Sequence, residues 1–456
     1  MSANPRPWRT EVLATLSLGW PLILTNLAQI AIGTTDTLMM GWLGPAELAA
    51  GALGTGLFFA ALIPGFGLGM ASSPLLAQTL GRHRHEVREC RRVTRQGLWV
   101  VSAYALICWA VLWHAEALLL LLGQQADLSA SAAAYIRALQ WSVLPALWVV
   151  VLRSFLAAQQ RPRASMVVSW AGVILHVASN WVLMFGHWGA PRLGVVGAGV
   201  SSTLSYTCMA LALVAFLYWD RRFRRYHILG NWWRADWPKF RELVRIGVPM
   251  ALAMAFEVTG FNAAAFLMGL ISTDAVAAHA IALQVASVTF MVPLGMSHAA
   301  TVRVGLAAGA GDVGGVRRAG WVALGLGTGF MACTALLLTV AARPIVGLFL
   351  DTSLPQSVPV VALAVSFLAI AAMFQVVDGA QVVGAGALRG LKDTKVPMLF
   401  AGFGYWLVSI PLGAALAFWG GLGGQGVWIA LAVGLGIVAA LVVGRWSLRD
   451  RLGLLG

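Results

Sequence analysis

The stretch GWPLILTNLAQIAIGTTDTLMMG at residues 19–41 is matched, 228 positions later, by GVPMALAMAFEVTGFNAAAFLMG at residues 247–269. Both stretches begin with Gly-x-Pro and end with Met-Gly. Each is apolar over about 20 residues, which is the length that an α-helix needs to cross a bilayer. Similarity at a fixed offset indicates a duplicated architecture. We therefore predict two related halves that each begin with a membrane-spanning helix.

The repeat continues along the chain with an offset that drifts by only a few residues. Further corresponding segments are Gly69-Met70 with Gly295-Met296, Arg91-Arg92 with Arg317-Arg318, and Gln160 to Arg163 with Lys392 to Lys395. Gaps between charged clusters leave twelve apolar segments, six in each half. The sequence thus predicts an all-α integral membrane protein of twelve transmembrane helices in two pseudo-symmetric six-helix lobes, residues 1–220 and 241–456, joined by a cytoplasmic linker at 221–240.

Composition supports a membrane protein. Of the 456 residues, 59% are hydrophobic and only 11% are charged, whereas soluble domains have about 25% charged residues. The formal charge is +14, and all but three of the Lys and Arg lie in or close to the termini and the even-numbered loops. Such segments stay cytoplasmic, so we predict cytoplasmic termini, with Arg82 to Arg95 and Arg221 to Arg225 as orientation signals that contact membrane lipids. No aromatic-interleaved basic groove accompanies them, so we expect no nucleic-acid partner.

Three strings of residues carry a resemblance to a known family. They are PLILTNLAQ at 21–29, TDTLMMGWLGP at 35–45 and ALRGLKDTK at 387–395. Together and in this order they resemble the multidrug and toxic compound extrusion (MATE) transporters, and the NorM-like bacterial branch in particular. The resemblance implies a secondary active antiporter of the bacterial inner membrane that exchanges H⁺ or Na⁺ for organic, mostly cationic compounds. It implies neither an enzyme nor a cofactor, and we expect a monomer.

Three of the 17 acidic residues lie deep within predicted spans, namely Asp36, Glu257 and Asp378. A carboxylate in hydrocarbon costs a few kcal/mol, so it faces the bundle interior and marks an ion or substrate path. Glu257 lies roughly 18 Å along its helix from Arg245, and Asp378 roughly 16 Å from Arg389, at 1.5 Å per residue. Both are therefore expected near the middle of the membrane, whereas Asp36 is expected nearer the outer face.

These acids have the properties that a coupling site needs. Burial disfavours the charged form of a carboxyl group, and an approaching cation restores it. We expect Asp36, Glu257 and Asp378 to carry the coupling proton or cation, with Glu257 and Asp378 holding Na⁺ if the protein is sodium-coupled. The alternative is that each acid only forms hydrogen bonds between helices.

Other polar and aromatic residues in the spans are weaker candidates. The resemblance implies that Asn180 belongs to the cation or proton site around Asp36, although Met184 stands where some relatives carry a second aspartate. The residues that we expect to contact substrate are Gln29, which is the repeat counterpart of Glu257, and Phe261, Gln284, Phe374 and Gln381. Three histidines within spans can relay protons, although such residues more often hydrogen-bond to a neighbour: His176, His279 and His298.

Two other functions are open to a bundle of this kind. A flippase for lipid-linked saccharides would need basic residues inside its cavity, and no span carries a Lys or Arg in mid-membrane. An intramembrane transferase would need a nucleophile or acid pair beside a sizeable loop, and the longest loop is the one from Asp220 to Lys239. Both alternatives therefore fit the sequence less well than an antiporter.

Overall fold

The computed structural model describes residues 7–83, 86–350 and 355–455, and the regular structure in these ranges is helical. Arg84 of the predicted orientation signal and both chain ends lie outside the described residues. Twelve helices are long and apolar enough to cross a membrane, which confirms the predicted fold class. They are α1 (Trp8–Leu43), α2 (Pro45–Arg82), α3 (Val87–Trp113), α4 (Ala126–Ala158), α5 (Arg163–Phe185), α6 (Val195–Trp219), α7 (Trp237–Ile271), α8 (Thr273–Gly309), α9 (Val313–Val340), α10 (Val358–Gly390), α11 (Lys395–Trp419) and α12 (Gly423–Ser447).

Local chemistry explains where several of these helices begin and end. The hydroxyl of Ser272 accepts a hydrogen bond from the amide of Ala275 at the start of α8, at 3.1 Å. Helix α5 ends at Gly186, whose φ of 77° is left-handed and is adopted most easily by glycine. Pro21 and Pro249 lie inside α1 and α7, at the equivalent repeat positions that the sequence predicts.

The chain divides into two compact units whose borders lie within helices. The N-terminal unit consists of Leu24–Ala251, and the C-terminal unit consists of Leu252–Gly456 with the segment up to Ile23. Both borders fall inside a helix, α1 at Ile23 and α7 at Ala251. The predicted lobe borders at 220 and 241 stay a prediction.

Ion pairs anchor the first turns of α1 and α7 within their units. In the C-terminal unit, Arg303 on α8 donates two hydrogen bonds to the carboxylate of Glu11, at 2.8 and 2.6 Å. In the N-terminal unit, Lys239 at the start of α7 lies 2.9 Å from Glu89 on α3. Because two nitrogens of Arg303 bind the two oxygens of Glu11, the contact fixes the orientation of the two side chains as well as the distance between them. The first turns of both helices are therefore held by side chains that lie far from them in sequence.

The linker between α6 and α7 is packed against α3. Side chains of α3 donate to its backbone carbonyls, from Gln96 to Arg234 at 3.3 Å and from the indole of Trp99 to Trp232 at 3.2 Å. Arg92 on α3 also donates to the carboxylate of Asp236 at 2.6 Å. Burial raises the pKa of Asp236, but the hydrogen bonds from Arg92 and from the Lys239 amide outweigh it and leave the pKa below its ordinary value. The carboxylate is therefore ionised, and the contact with Arg92 is kept, throughout the neutral and mildly acidic range.

Asp236→Asn is expected to loosen the linker. The amide cannot form the charge-assisted bond with Arg92, which contributes about 1 kcal/mol at a partly exposed site. Amide hydrogen exchange at neutral pH should rise in residues 229–236 and stay the same in α10. The pKa of Asp236 is lower in the folded state than in the unfolded state, so its carboxylate stabilises the folded state at pH values above the unfolded-state pKa. In wild type, protection from exchange should therefore be lost only when the pH falls through the folded-state pKa. Asp220→Asn is the control, because Asp220 only caps the amide of Arg222. Unchanged exchange in Asp236→Asn would contradict the role given to this ion pair.

Candidate functional site

Asp36 forms the centre of a polar cluster in the N-terminal unit. Its Oδ1 lies 2.8 Å from Nε2 of His176 and accepts a hydrogen bond from Nδ2 of Asn180 at 2.7 Å. Its Oδ2 accepts from the hydroxyl of Ser202 at 3.3 Å. The side chain of His176 is fully buried and that of Asp36 is 13% exposed. The structure brings Asn180 and Asp36 together, and the role of both residues stays a prediction.

Helix geometry brings these groups together. His176 and Asn180 are four residues apart on α5 and therefore lie on one face of that helix. Ser202 and Ser205 are three residues apart on α6 and face the same cluster, since the hydroxyl of Ser205 lies 3.4 Å from Nδ1 of His176. The sequence prediction gave His176 no particular partner. The four-residue spacing from Asn180 was the available signal, because it places the imidazole beside whatever group Asn180 contacts.

A cavity of about 140 Å³ opens beside Asp36 within the same unit. Its polar lining includes Gln29, Asp36 and Ser202, and its aromatic lining includes Tyr135 and Tyr206. The hydroxyl of Tyr135 lies 3.3 Å from that of Thr55. Aromatic ring faces attract cations, and the carboxylate of Asp36 supplies a negative charge. The cavity thus has the surface chemistry to receive a small cationic group.

The acids of the C-terminal unit are placed differently. Asp378 on α10 is only 5% exposed, and its Oδ1 has no hydrogen-bond partner among the described residues. Glu257 on α7 is half-buried and interacts electrostatically with both Asp378 and Arg389. The structure therefore brings the two predicted acids near each other. Each unit contains at least one acid in its interior.

Arg389 is a charged group near Glu257, and the sequence prediction used it only as a reference for the depth of Asp378. It lies one residue from the end of α10 and donates a hydrogen bond to the hydroxyl of Ser297 on α8. In the N-terminal unit, Arg153 is buried near the end of α4 and donates to Oδ1 of Asn26 at 3.4 Å. Both arginines lie toward helix ends, and the expectation of no mid-membrane Lys or Arg stays a prediction. They nevertheless place positive charge inside the units.

Several buried oxygens near Asp378 lack partners. They belong to Asp378 itself, to Gln381 one turn along α10, and to Tyr405 on α11, and none has a hydrogen-bond partner in the described part of the chain. Tyr405 also interacts electrostatically with Asp378 and Glu257. Buried polar atoms without partners are uncommon and point to a missing water or ion. No group of three or more His, Cys, Asp or Glu side chains forms among the described residues, so a cation here would need neutral oxygens as ligands.

The residues predicted to contact substrate have different surroundings. The rings of Phe261 and Phe374 contact each other, with centroids 6.0 Å apart, but Phe374 is only 2% exposed and packs on Trp428. Its position is that of a core residue. Gln29 lines the Asp36 cavity, while the side chain of Gln284 is exposed. A role in substrate binding stays a prediction for all of them.

Twelve helices that are long and apolar enough to cross a bilayer define a multi-pass membrane protein. The MatE family model matches residues 21–182 and 249–415 of this chain. The two matched segments cover most of the chain and follow the sequence repeat. The chain belongs to the MatE family of transporters, which confirms the resemblance drawn from the sequence.

Curated relatives and solved structures agree with this assignment. The chain is 52% identical to the probable multidrug resistance protein NorM of Mesorhizobium japonicum, over 98% of this chain and 95% of that protein. It is 48% identical to a probable NorM of Brucella suis over 96% and 93% of the two chains. A eukaryotic MATE transporter (TM-score 0.86, 20% identity) covers 98% of both chains. An outward-facing multidrug resistance MATE transporter (TM-score 0.87, 20% identity) covers 98% of this chain and 96% of its own. These structures share the fold.

Proposed function

We propose that this protein is a secondary active multidrug efflux antiporter of the bacterial inner membrane, with cytoplasmic termini. It exchanges H⁺ or Na⁺ for organic, mostly cationic compounds by alternating access, acts as a monomer and catalyses no covalent chemistry. The observation that carries the proposal is the burial of Asp378, whose Oδ1 has no hydrogen-bond partner among the residues that the structure describes. A group of this kind is poorly suited to holding helices together and well suited to taking up a cation that later leaves.

The surroundings of the acids support exchange. Asp378 and Glu257 interact electrostatically, so a cation that reaches one of them changes the affinity of the other. Two like charges at close range disfavour the doubly ionised state. A proton, Na⁺ or the cationic group of a substrate relieves that repulsion, so the three compete for the same charge. Competition of this kind is the physical basis of antiport.

Asp36 and its cavity support a second place of exchange. Gln29, Tyr135 and Tyr206 line the space beside the carboxylate, and relatives named multidrug resistance proteins match nearly the whole chain. Arg389 and Arg153 hydrogen-bond to Ser297 and Asn26, so both cations already have protein partners. This arrangement favours cationic cargo over the pyrophosphate of a lipid-linked saccharide.

Ethidium efflux from proteoliposomes tests the proposal. The purified protein is expected to move ethidium, an aromatic cation, against its gradient when an opposing gradient of H⁺ or Na⁺ is imposed alone. ATP should have no effect. Vesicles without protein and vesicles with both gradients collapsed are the controls. The proposal fails if neither gradient, imposed separately, drives ethidium above these controls.

A further inference from the structure

We propose that the turn after α6 is a binding site for the phosphate headgroup of an anionic phospholipid, formed by Arg221, Arg222, Arg224 and Arg225. We call residues 221–225 the basic turn. The inference goes beyond the proposed function and takes from it only the cytoplasmic position of this loop. Arginine suits the role because its planar guanidinium group can donate two parallel hydrogen bonds to one phosphate.

The basic turn is held in a fixed orientation by aromatic side chains. All four of its arginines are exposed, whereas Phe223 and Tyr226 are buried. Both rings contact Phe155 on α4, with centroids 6.0 and 5.2 Å away. The hydroxyl of Tyr226 also accepts a hydrogen bond from Gln159 at 2.8 Å. The backbone is thus anchored from within while the arginines face outward, and a site that is already ordered loses less entropy on binding.

The charges of the basic turn are not neutralised by the protein. Among the described residues, no carboxylate lies within ion-pair distance of these four guanidinium groups. The neighbouring acid, Asp220, accepts from the backbone amide of Arg222 at 2.8 Å. Arg225 lies over the ring of Tyr226, 5.4 Å from its centroid, which adds no negative charge. Four like charges on one turn repel one another, and an external anion would relieve that repulsion.

The counterpart of this turn in the C-terminal unit has different contacts. The pattern Trp-x-x-Arg-x-Arg at 219–224 recurs 227 positions later, at 446–451. There Arg449 is buried, lies over the ring of Trp446 at 4.6 Å and is 3.7 Å from Asp450. The repeat therefore does not require exposed arginines at this point. Their concentration in the basic turn is a feature of the N-terminal unit.

The basic turn lies at the level expected for lipid headgroups. Helix α6 ends at Trp219, which is 82% exposed, and the preceding Tyr218 is also exposed. Exposed Trp and Tyr at the end of a membrane helix are typical of the bilayer interface. Clusters of about four or more basic residues directly on the cytoplasmic side of such a helix are typical of anionic-lipid binding.

An apolar cleft beside the basic turn favours a lipid over a free anion. Leu152 on α4 and Val214 and Leu217 on α6 line this cleft together with Arg224 and His227. It encloses only about 20 Å³, so an acyl chain would lie along it rather than inside it. A phospholipid presents a phosphate and an apolar chain at the same time, whereas inorganic phosphate presents only the charge. The surface therefore matches both parts of a phospholipid.

Native mass spectrometry of the purified protein tests the site. The first phosphatidylglycerol added to protein in neutral detergent is expected to bind about tenfold more tightly than phosphatidylcholine. Replacing all four arginines of the basic turn by Gln should remove this preference. The matched control removes four exposed arginines from separate segments, namely Arg9→Gln, Arg161→Gln, Arg241→Gln and Arg317→Gln. It should keep the preference. Equal binding of the two lipids by wild type would overturn the inference, as would an equal loss in the control, which would attribute the preference to net charge.

A lysine variant keeps the test valid if the Gln variant does not fold or insert. Arg→Lys at the same four positions retains the charge that orients the protein but cannot donate two parallel hydrogen bonds from one group. Its affinity for phosphatidylglycerol is expected to fall about threefold or more. Wild-type affinity in this variant would contradict a defined headgroup site.

Inorganic phosphate distinguishes a lipid site from a free-anion site. Phosphate in excess, at constant ionic strength, should not displace phosphatidylglycerol, because it makes no contact with the apolar cleft. Displacement would overturn the assignment to a lipid. These measurements involve no transport, so failure of ethidium efflux would contradict the proposed function and leave the binding results unaffected.

Discussion

Asp378→Asn is expected to abolish gradient-driven ethidium efflux while leaving the thermal stability of the protein unchanged or higher. The side chain keeps its shape but can no longer be ionised, so it cannot exchange one cation for another. Efflux should fall by about tenfold or more, to the level of vesicles without protein, as expected for an ionisable residue on an intramembrane ion path. The measurement is ethidium efflux from proteoliposomes under each imposed gradient.

Stability separates this effect from misfolding. The carboxyl of Asp378 is 5% exposed and has an oxygen without a partner in the described chain. Burying an ionised carboxylate costs more than burying a neutral amide, so the free energy of unfolding should stay equal or rise by about 1 kcal/mol. The thermal midpoint in detergent checks this. Asp274→Asn, at the first turn of α8, is the control and should behave as wild type. Full efflux in Asp378→Asn would remove the main support for the proposed function.

Asp36→Asn is expected to abolish efflux driven by a pH gradient. The amide oxygen can still accept from Asn180, so the packing around α5 is kept. What is lost is the negative charge that holds the hydrogen of His176 in place. Efflux should fall by about tenfold or more. Asp127→Asn is the control, because Asp127 is an exposed residue in the first turn of α4.

A double variant tests whether Asp36 and His176 act as one unit. Residues that share one function give non-additive effects when both are replaced. Efflux in Asp36→Asn/His176→Gln should therefore be no lower than in the more impaired single variant. If the fold-loss of efflux in the double variant equals the product of the fold-losses in the two single variants, the residues act separately. Wild-type efflux in Asp36→Asn would contradict the assignment of Asp36 as a coupling residue.

Hydropathy and internal repetition predicted much of this fold. Apolar segments of sufficient length become helices in a membrane because every backbone group must be satisfied within the segment. Acids are rare in such segments, and this identified Asp36, Glu257 and Asp378 as candidates. A charged side chain in hydrocarbon is costly and usually marks an ion or substrate path. These inferences use one segment at a time, which is why a single sequence supports them.

Contacts between distant segments could not be predicted in the same way. The pairing of His176 with Asp36 depends on the rotation of α5 and α1 about their axes, which hydropathy does not determine. The interaction of Arg389 with Glu257 likewise depends on which face of α10 is turned inward. The linker docks on α3 through backbone carbonyls that accept hydrogen bonds. Every residue has a backbone carbonyl, so the sequence does not indicate which of them take part.

The positions of Ile23 and Ala251 inside continuous helices limit how the gene can be divided. A cut in the linker would leave residues 7–23 on the N-terminal fragment, although they belong to the C-terminal unit. It would leave residues 237–251 on the C-terminal fragment, although they belong to the N-terminal unit. Neither piece would be a self-sufficient folding module. Insertions, circular permutation and fragment complementation in this protein should therefore be planned around whole helices rather than around the midpoint of the chain.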